Sequence, residues 1–213
     1  MSYPTFNGWT IINPPATPVI KQIDFDITDA VANNQSPYSM QTQMQVWPGA
    51  ESMVWNVSLP PMKTTTAIPW VAWFRQLQGI LNVFQLGDPN HPVALGTVSG
   101  TPVVDSSSIS YNLPATTTLY TRGWTPSAAG VLLEGDYIQI GYRLYSVLQN
   151  VTADTNGKAQ INIWPSLREL PADGTTIITS NTKGLFRLVE NKRSWSEREN
   201  KMVGIAWKCV EAR

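Results

Sequence analysis

Side chains that could do acid–base or nucleophilic chemistry are few in this sequence. His91 is the only histidine and lies in the turn-like stretch Asp-Pro-Asn-His-Pro, so a Ser-His-Asp or Cys-His site would depend on one loop residue. A glycosidase requires two carboxyl groups about 5–9.5 Å apart. Glu51, Glu134 and Asp136 are the acidic residues nearest to aromatic strands, but nothing in their sequence context pairs them. We therefore expect no catalytic residues and no enzymatic activity.

The sequence also lacks the spacings that hold metals and cofactors. Cys209 is the only cysteine, which excludes an intrachain disulfide and a multi-cysteine metal site. Residues 154–157 read Asp-Thr-Asn-Gly and share letters with a calcium loop, but the later acidic ligands are missing, so we predict a hairpin turn. No zinc motif, phosphate-binding glycine loop or dinucleotide fingerprint occurs. We expect neither a cofactor nor a metal.

The charge composition argues against partners recruited by a strong electrostatic field. The 213 residues include 15 basic and 15 acidic side chains, and only 14% are charged, which gives no general attraction for nucleic acid or anionic membranes. Locally the balance differs, because residues 183–213 carry eight basic and four acidic side chains, against seven and eleven in residues 1–182. Opposite surfaces of this kind favour head-to-tail contacts between copies of one chain. The mixed-charge run 190–201 predicts a solvated face or loop.

Nothing in the sequence predicts a targeting segment or a membrane span. The N terminus has no basic region followed by a continuous apolar core, and no stretch approaches the length that a bilayer requires. We expect a soluble protein made in the cytoplasm, with no membrane partner.

Tryptophan is the over-represented residue, with nine in the chain. Tryptophan is common in cores, at protein interfaces and on sugar-binding surfaces, and the sequence leaves these roles open. The candidates for an interface or a glycan platform are Trp9, Trp47, Trp124, Trp164 and Trp195.

The first part of the chain predicts an extended arm followed by strands. Residues 1–18 are rich in proline and predict an arm that lies on a neighbour or on the body. Alternating apolar and polar residues then predict a meander of three strands, at 23–27, 40–47 and 53–59. In the first strand, Asp24 and Asp26 lie on the face that is expected to be exposed to solvent.

One segment has helical rather than strand periodicity. Trp70, Trp73 and Phe74 recur at the spacing of a helix near 67–78, and Gly79 is placed to end it. An aromatic helix face that packs on a sheet is a more common arrangement than a ligand platform, so we assign these rings to the core. A strand at 80–86 follows.

From about Trp124 to Arg168, short strands alternate with tight turns in the manner of a small β-barrel. We predict strands at 119–124, 131–133, 137–140, 143–151 and 159–164, closed by strands at 177–178 and 185–189. The Ser/Thr-rich passage 98–118 predicts a loop or irregular edge strands. A final strand at 202–210 would return to the sheet of residues 19–97. The predicted domains are an arm at 1–18, a sandwich at 19–97 and 195–213, and an inserted barrel at 98–194.

Several of these segments resemble the tail-tip proteins of long-tailed bacteriophages. The similar stretches are Gly130–Ile140, Tyr145–Val147, Ala159–Leu167 and Phe186–Leu188. The family they resemble is the distal tail protein, the adaptor ring at the end of the tail tube. The resemblance implies a mainly β fold, in which a tail-tube-like β-sandwich with one flanking α-helix carries an inserted small β-barrel.

The same resemblance implies a mechanical role in the virion. Six subunits, or three in a hub, would form a ring that connects the tail tube protein to the baseplate hub protein and lines the DNA channel at the tail tip. Viral DNA must pass without specific binding, so the lumen should be acidic or neutral. Asp24, Asp26 and Asp29 are the lumen-facing candidates.

Two alternatives stay open beside this interpretation. Small barrels can bind oligosaccharides, so the chain could be a carbohydrate-binding module for cell-surface glycans; its platform would be Trp124, Tyr137, Tyr142, Tyr145 and Trp164. The other alternative is a minor tail or hub protein of the same tip. Stacked, solvent-facing rings would favour sugar binding, whereas rings buried between subunits would favour a tail ring.

Overall fold

A computed structural model describes residues 3–108, 111–197, 199 and 201–213. The fold is mainly β, with several sheets and one helix among these residues. Met1 and Ser2 of the predicted arm, and Arg198 and Asn200 of the mixed-charge run, lie outside the described residues. Within the described part of the chain, no helix is both long enough and apolar enough to cross a bilayer.

In chain order the elements are β1 (Thr5–Phe6), β2 (Trp9–Thr10), β3 (Gln22–Thr28), β4 (Val31–Gln35), β5 (Thr42–Val46), β6 (Ser52–Ser58), β7 (Met62–Lys63), α1 (Thr64–Leu77), β8 (Phe84–Leu86), β9 (Gly100–Val104), β10 (Thr118–Trp124), β11 (Tyr137–Ile140), β12 (Arg143–Val147), β13 (Lys158–Trp164), β14 (Ile177–Ile178), β15 (Gly184–Leu188), β16 (Ser196–Glu197), β17 (Met202–Gly204) and β18 (Ala206–Glu211).

Contacts divide the chain into two compact units, each built from separate segments. The first unit comprises Met1–Asp26, Met53–Pro92 and Lys183–Arg213, and the second comprises Ile27–Ser52 and Val93–Thr182. The predicted domain boundaries differ from these. Residues 27–52 and 93–97 were expected in the sandwich but lie in the second unit, and residues 183–194 were expected in the barrel but lie in the first.

The first unit contains a five-stranded sheet in the order β3-β6-β18-β15-β8. β6 and β18 pair antiparallel, with Trp55 opposite Cys209. Alternate residues of both strands are buried, including Val57 and Trp207. The predicted return of the strand after residue 202 to the first sheet is therefore confirmed for Ala206–Glu211.

The aromatic face of α1 packs into the core of the first unit. Trp70, Trp73 and Phe74 are buried, and the Trp73 ring lies 5.1 Å from that of Phe84 in β8, centroid to centroid. Nε1 of Trp73 donates to the carbonyl oxygen of Ile12 at 2.8 Å, which satisfies the buried indole. The predicted helix and its core-facing aromatic stripe are both confirmed.

Residues 3–18 run along the first unit. Ile11 and Ile12 are buried, and the Ile12 amide donates to the carbonyl oxygen of Val83. Nε1 of Trp70 donates to the carbonyl oxygen of Thr17 at 2.8 Å. The sequence left open whether the arm lies on a neighbour or on the body, and its described part lies on the body.

The second unit is centred on a six-stranded, nearly closed sheet in the order β14-β11-β12-β13-β10-β9. A bridge between Val103 and Thr176 brings its two edges together. The interior is filled by buried apolar side chains, among them Leu119, Ile138 and Ile161. The predicted small barrel is confirmed. Four of its strands lie close to the expected positions, at residues 118–124, 137–140, 158–164 and 177–178, whereas the strand predicted at 143–151 ends at Val147.

A bulge lets two barrel strands approach closely at Gly123. The register between β9 and β10 shifts between Arg122 and Trp124, and Gly123 between them has a φ of 88°. A Cβ at this position would lie 2.4 Å from the carbonyl oxygen of Thr101. The positive φ and the close backbone together require glycine here.

Some predicted strands have other partners or do not form. Leu185–Val189 was predicted to close the barrel, which is wrong, because β15 pairs with β8 and β18 in the first unit. The predicted strand at 131–133 is only a bridge between Leu132 and Val151. The strand at 40–47 is not part of a meander with 53–59, because β5 pairs with β4 in a separate sheet. Alternation within a segment defines its faces, but it does not specify which distant strand it meets.

Candidate assembly surface

β4 and β5 form an antiparallel hairpin that is a sheet of its own. The register runs without a bulge from Val31 opposite Val46 to Gln35 opposite Thr42. Within the described residues, no third strand pairs with this sheet. Neither strand contains the Lys, Pro or bulge that commonly protects an edge. Each outer edge therefore presents backbone N–H and C=O groups to a possible partner strand.

The two faces of the hairpin differ in chemistry, although neither is charged. One face carries the pairs Val31–Val46, Asn33–Met44 and Gln35–Thr42, with its apolar side chains toward the base, and the other carries Ala32–Gln45 and Asn34–Gln43. No charged residue occurs between Ala30 and Ala50. Met44 is 68% exposed and Val46 is 58% exposed. The sequence pattern predicted one buried face for this segment, which is wrong for the single chain. Exposed apolar side chains grouped in this way mark an interaction surface.

Arg168 fixes the base of the hairpin to the barrel unit. Its guanidinium donates to the carbonyl oxygen of Gly49 at 2.8 Å and to that of Glu51, and Nη1 lies 3.5 Å from the Glu51 carboxylate. The Arg168 side chain is only 6% exposed. Ser166 donates to the same carboxylate at 2.9 Å. A buried cation and a carboxylate therefore hold the chain where it leaves β5.

The charge state of Glu51 follows from these contacts. Burial alone raises the pKa of a carboxyl group, but hydrogen bonds from backbone amides and from Ser166, together with the positive charge of Arg168, outweigh it. The pKa of Glu51 consequently lies below its ordinary value, so the group is ionised at neutral pH. One of the three catalytic candidates is thus part of a structural ion pair.

The predicted lumen residues are exposed but differ in their partners. Asp29 precedes β4 and accepts a hydrogen bond from Nε1 of Trp164 at 3.2 Å. Asp26 lies 3.6 Å from Nζ of Lys208, and Asp24 accepts a hydrogen bond from Gln22 at 2.8 Å. Among the three, Asp29 is the one that lies at the base of the hairpin.

The five tryptophans named as interface candidates fall into three groups. Trp47 and Trp195 are exposed. Trp9 and Trp164 are half-buried, and Trp9 lies under the Arg187 guanidinium at 4.3 Å from its ring centroid. Trp124 is 3% exposed and belongs to the barrel core, so its prediction as an interface or glycan residue is wrong.

The aromatic platform predicted for glycan binding does not form a continuous exposed surface. Tyr145 is buried like Trp124, and Tyr137, Tyr142 and Trp164 are half-buried. Strand alternation turns Trp124 and Tyr145 into the barrel. The rings that do stack are Tyr111 and Tyr120, whose centroids are 4.1 Å apart with planes 4° apart. Tyr120 lies in β10, but Tyr111 lies in the loop before it, so the strand pattern gave no signal for this pair.

The other residues weighed for catalysis, Asp136, Glu134 and His91, differ in their surroundings. The Asp136 carboxylate is buried and accepts hydrogen bonds from the backbone amides of Leu133, Leu95 and Gly96 at 2.8, 2.6 and 3.1 Å. It therefore organises a turn and a loop. Glu134 is exposed, and His91 contacts Asp88 at 3.0 Å in its own turn.

A charged cluster joins the loop after β9 to β10, to β13 and to the loop before β14. Asp105, whose side chain is 2% exposed, accepts hydrogen bonds from Ser107 at 2.5 Å, Arg122 at 3.0 Å and Lys158 at 2.9 Å. Arg122 also forms a two-pronged contact with Asp173 at 2.7 and 2.8 Å. The hydrogen bond from Ser107 and the Lys158 charge lower the pKa of Asp105 despite its burial.

This cluster predicts how the stability of the second unit depends on pH. Because the folded-state pKa of Asp105 is depressed, its stabilising contribution is complete above the unfolded-state pKa of about 4. That contribution is lost as the pH falls toward the folded-state pKa. We expect Asp105→Asn to lower stability at pH 7 and to flatten its decline below about pH 4. Urea unfolding at several pH values measures both effects.

Asp173→Asn is the matched comparison for that experiment. The Asp173 carboxylate is 45% exposed, so water screens it and its substitution should change the pH dependence less. Parallel stability curves for wild type and Asp105→Asn below about pH 4 would contradict the assignment.

No protein-family model matches the chain, and no curated protein sequence matches it.

Proposed function

We propose that this protein is a structural component of a bacteriophage tail tip, in which copies of the chain form a ring that connects the tail tube protein to the baseplate hub protein and lines the DNA channel. The observation that carries the proposal is the hairpin of β4 and β5. It is exposed, uncharged and unpaired at its edges within the described residues, and the sequence resemblance to distal tail proteins supplies the context.

The unpaired edges of the hairpin favour pairing with another copy. If the β4 edge of one copy meets the β5 edge of the next, the contact is head-to-tail, and such contacts close into a ring when the rotation between copies is suitable. Closure into a barrel removes all exposed edges. In a hexamer, the two-stranded hairpins would contribute a barrel of about twelve strands.

The two faces of the hairpin fit the two sides of such a ring. The apolar face with Met44 and Val46 suits burial against protein, because it is costly to expose. The amide face with Asn34, Gln43 and Gln45 is hydrophilic but uncharged. A wall of this chemistry neither holds phosphates by charge nor repels them strongly. Viral DNA could then pass through without binding.

Mass in solution and negative-stain electron microscopy test this proposal together. A six-fold mass and rings with an open channel would support the adaptor ring, whereas a three-fold mass would favour a hub protein. Mixing with tail tube protein should place the ring at one end of the tube. A chain that stays monomeric at every concentration, with and without tube, would contradict the proposal.

Met44→Glu should abolish ring formation and leave the monomer folded. Met44 is exposed in the single chain, so a carboxylate there costs little before assembly, but burial against a neighbour would leave it without a counter-charge. We expect the ring-to-monomer midpoint to rise by at least about 100-fold in concentration, since each buried charge costs several kcal/mol.

Leu170→Glu is the control for that variant. Leu170 is exposed to a similar extent but lies outside the hairpin, so this substitution should leave the assembly midpoint near that of wild type. Sedimentation velocity across a dilution series measures both variants. Equal midpoints for the two would remove the hairpin from the assembly contact.

A further inference from the structure

A cavity of 510 Å³ opens on the second unit beside the charged cluster. Its walls come from the loop after β9, from β10 and β13, and from the segment between β12 and β13; its principal side chains are Asp105, Tyr111, Tyr120, Asn150, Lys158 and Gln160. The volume lies within the range of about 300–1,000 Å³ that small-molecule sites occupy. All these residues belong to one unit, and none belongs to the hairpin.

The aromatic wall of this cavity is held in place by a buried side chain. Asn112 has a left-handed backbone with a φ of 54° and lies between the two stacked tyrosines in sequence. Its Nδ2 donates to the carbonyl oxygen of Asp105 at 2.8 Å, and its Oδ1 accepts from the Tyr120 amide at 2.6 Å. The Tyr111 ring is thereby fixed against Tyr120 before any ligand arrives, which lowers the entropic cost of binding.

The polar groups of the cavity offer both donors and acceptors. Lys158 uses one of its three ammonium protons on Asp105, and its side chain is 51% exposed. Gln160, directly opposite Tyr120 in the strand pairing, is exposed and carries an amide donor and acceptor. Asn150 adds a second amide from the facing segment.

The charge of the lining decides between ligand classes. Two carboxylates, Asp105 and Asp154, face a single ammonium, Lys158, so the lining is slightly negative. Phosphate-bearing and carboxylate-bearing ligands are disfavoured by this balance. A ligand that combines a flat apolar face with many neutral hydroxyl groups matches the tyrosine wall and the mixed donors and acceptors.

We propose that this cavity binds a neutral saccharide of one or two hexose rings, with a sugar face packed on the Tyr111–Tyr120 stack and its hydroxyl groups bonded to Lys158, Gln160 and Asn150. The site is separate from the hairpin and does not depend on the ring. Through this site, the barrel would bind a cell surface that displays neutral glycans. The residues involved differ from those of the aromatic platform that the strand pattern predicted.

Titration of the full chain with neutral saccharides tests the proposal. The probes are glucose, galactose, mannose, rhamnose and N-acetylglucosamine, with their common disaccharides. Binding is followed by calorimetry and by proton NMR at up to about 10 mM, enough to approach saturation of a site with a Kd of about 1 mM or lower. We expect saturable binding of at least one probe. Tyr111→Ala should weaken it about tenfold, because the stacked ring supplies much of the apolar contact.

Matched variants keep the experiment decisive. Tyr3→Ala removes an exposed tyrosine of the first unit and should leave the affinity unchanged, whereas Gln160→Ala removes an exposed polar group on β13 and should weaken binding without disturbing the loop. Tyr111→Phe should retain most of the affinity if stacking dominates.

No saturable binding of any probe, or equal binding by Tyr111→Ala and Tyr3→Ala, would overturn the assignment. Binding of an oligothymidine instead of sugars would assign the stack to nucleic acid and would also overturn it.

Discussion

Gly123→Ala is expected to destabilise the barrel by about 4 kcal/mol. The substitution imposes two separate costs. An alanine at a φ of 88° is strained by about 1 kcal/mol or more, and its Cβ would lie 2.4 Å from the carbonyl oxygen of Thr101. Because the contacting atom is backbone, β9 must move away from β10 to relieve the overlap, which breaks hydrogen bonds on both sides of the bulge.

Gly135→Ala separates the two costs. Gly135 has a φ of 90°, but a Cβ added there meets no atom within 4 Å. The free energy of unfolding of this variant should therefore fall by only about 1–2 kcal/mol, which is the cost of the positive φ alone. Hydrogen exchange read by mass spectrometry resolves the two units, and protection of β10 and β13 should fall far more in Gly123→Ala. Similar losses for both variants would show that the close approach of β9 and β10 contributes little.

Arg168→Ala is expected to release the base of the hairpin from the barrel and to cost about 3–4 kcal/mol of local stability. The substitution removes the donors to the carbonyl oxygens of Gly49 and Glu51. It also removes the positive charge beside the Glu51 carboxylate, which is 13% exposed. We expect hydrogen exchange of residues 28–50 to accelerate and ring assembly to weaken, because the hairpin would no longer be held in one orientation.

Two further variants distinguish the charge from the geometry of Arg168. Arg168→Lys keeps the charge, but a lysine lacks the planar fork that reaches both carbonyl oxygens. The stability lost in this variant should therefore be smaller than in Arg168→Ala but still measurable. Adding Glu51→Gln to Arg168→Ala should restore part of the stability, because it removes a poorly compensated buried carboxylate. Arg75→Ala, at an exposed position in the last turn of α1, is the control. If Glu51→Gln lowers the free energy of unfolding by the same amount in wild type and in Arg168→Ala, the ion pair between Arg168 and Glu51 does not anchor the hairpin.

Local patterns predicted the elements of this fold more successfully than their partners. The helix was predictable because Trp70, Trp73 and Phe74 recur at its period. β18 was predictable because apolar residues occupy every second position through Trp207 and Cys209. The partner of β15 was not predictable, since apolar residues such as Leu185 and Leu188 would suit the core of either sheet. Burial of a side chain identifies a strand face, but only the three-dimensional contacts identify the sheet.

The functional surfaces were predictable only in part, and for the same reason. The uncharged stretch from Ala30 to Ala50 was visible in the sequence, but its alternation was taken for an ordinary half-buried strand. Arg168 gave no local signal as the anchor of a hairpin that precedes it by more than a hundred residues. Trp124 was named as an interface or glycan candidate on the basis of residue type, whereas it belongs to the barrel core. The Tyr111–Tyr120 stack depends on a turn at Asn112 that residue type alone does not reveal.

The interleaving of the two units has a consequence for the order in which they can form during synthesis. All residues of the barrel unit have been made by Thr182, whereas the central pair of the other sheet, Val54 opposite Val210, must wait for β18. Contacts this distant in sequence form slowly. On the ribosome, the barrel with its hairpin therefore becomes foldable first, and the strands of residues 53–86 remain without their central partner until the chain has passed residue 211. A ribosome that stalls between these points would release a folded barrel attached to an unpaired sheet, a species prone to aggregate through its open strands.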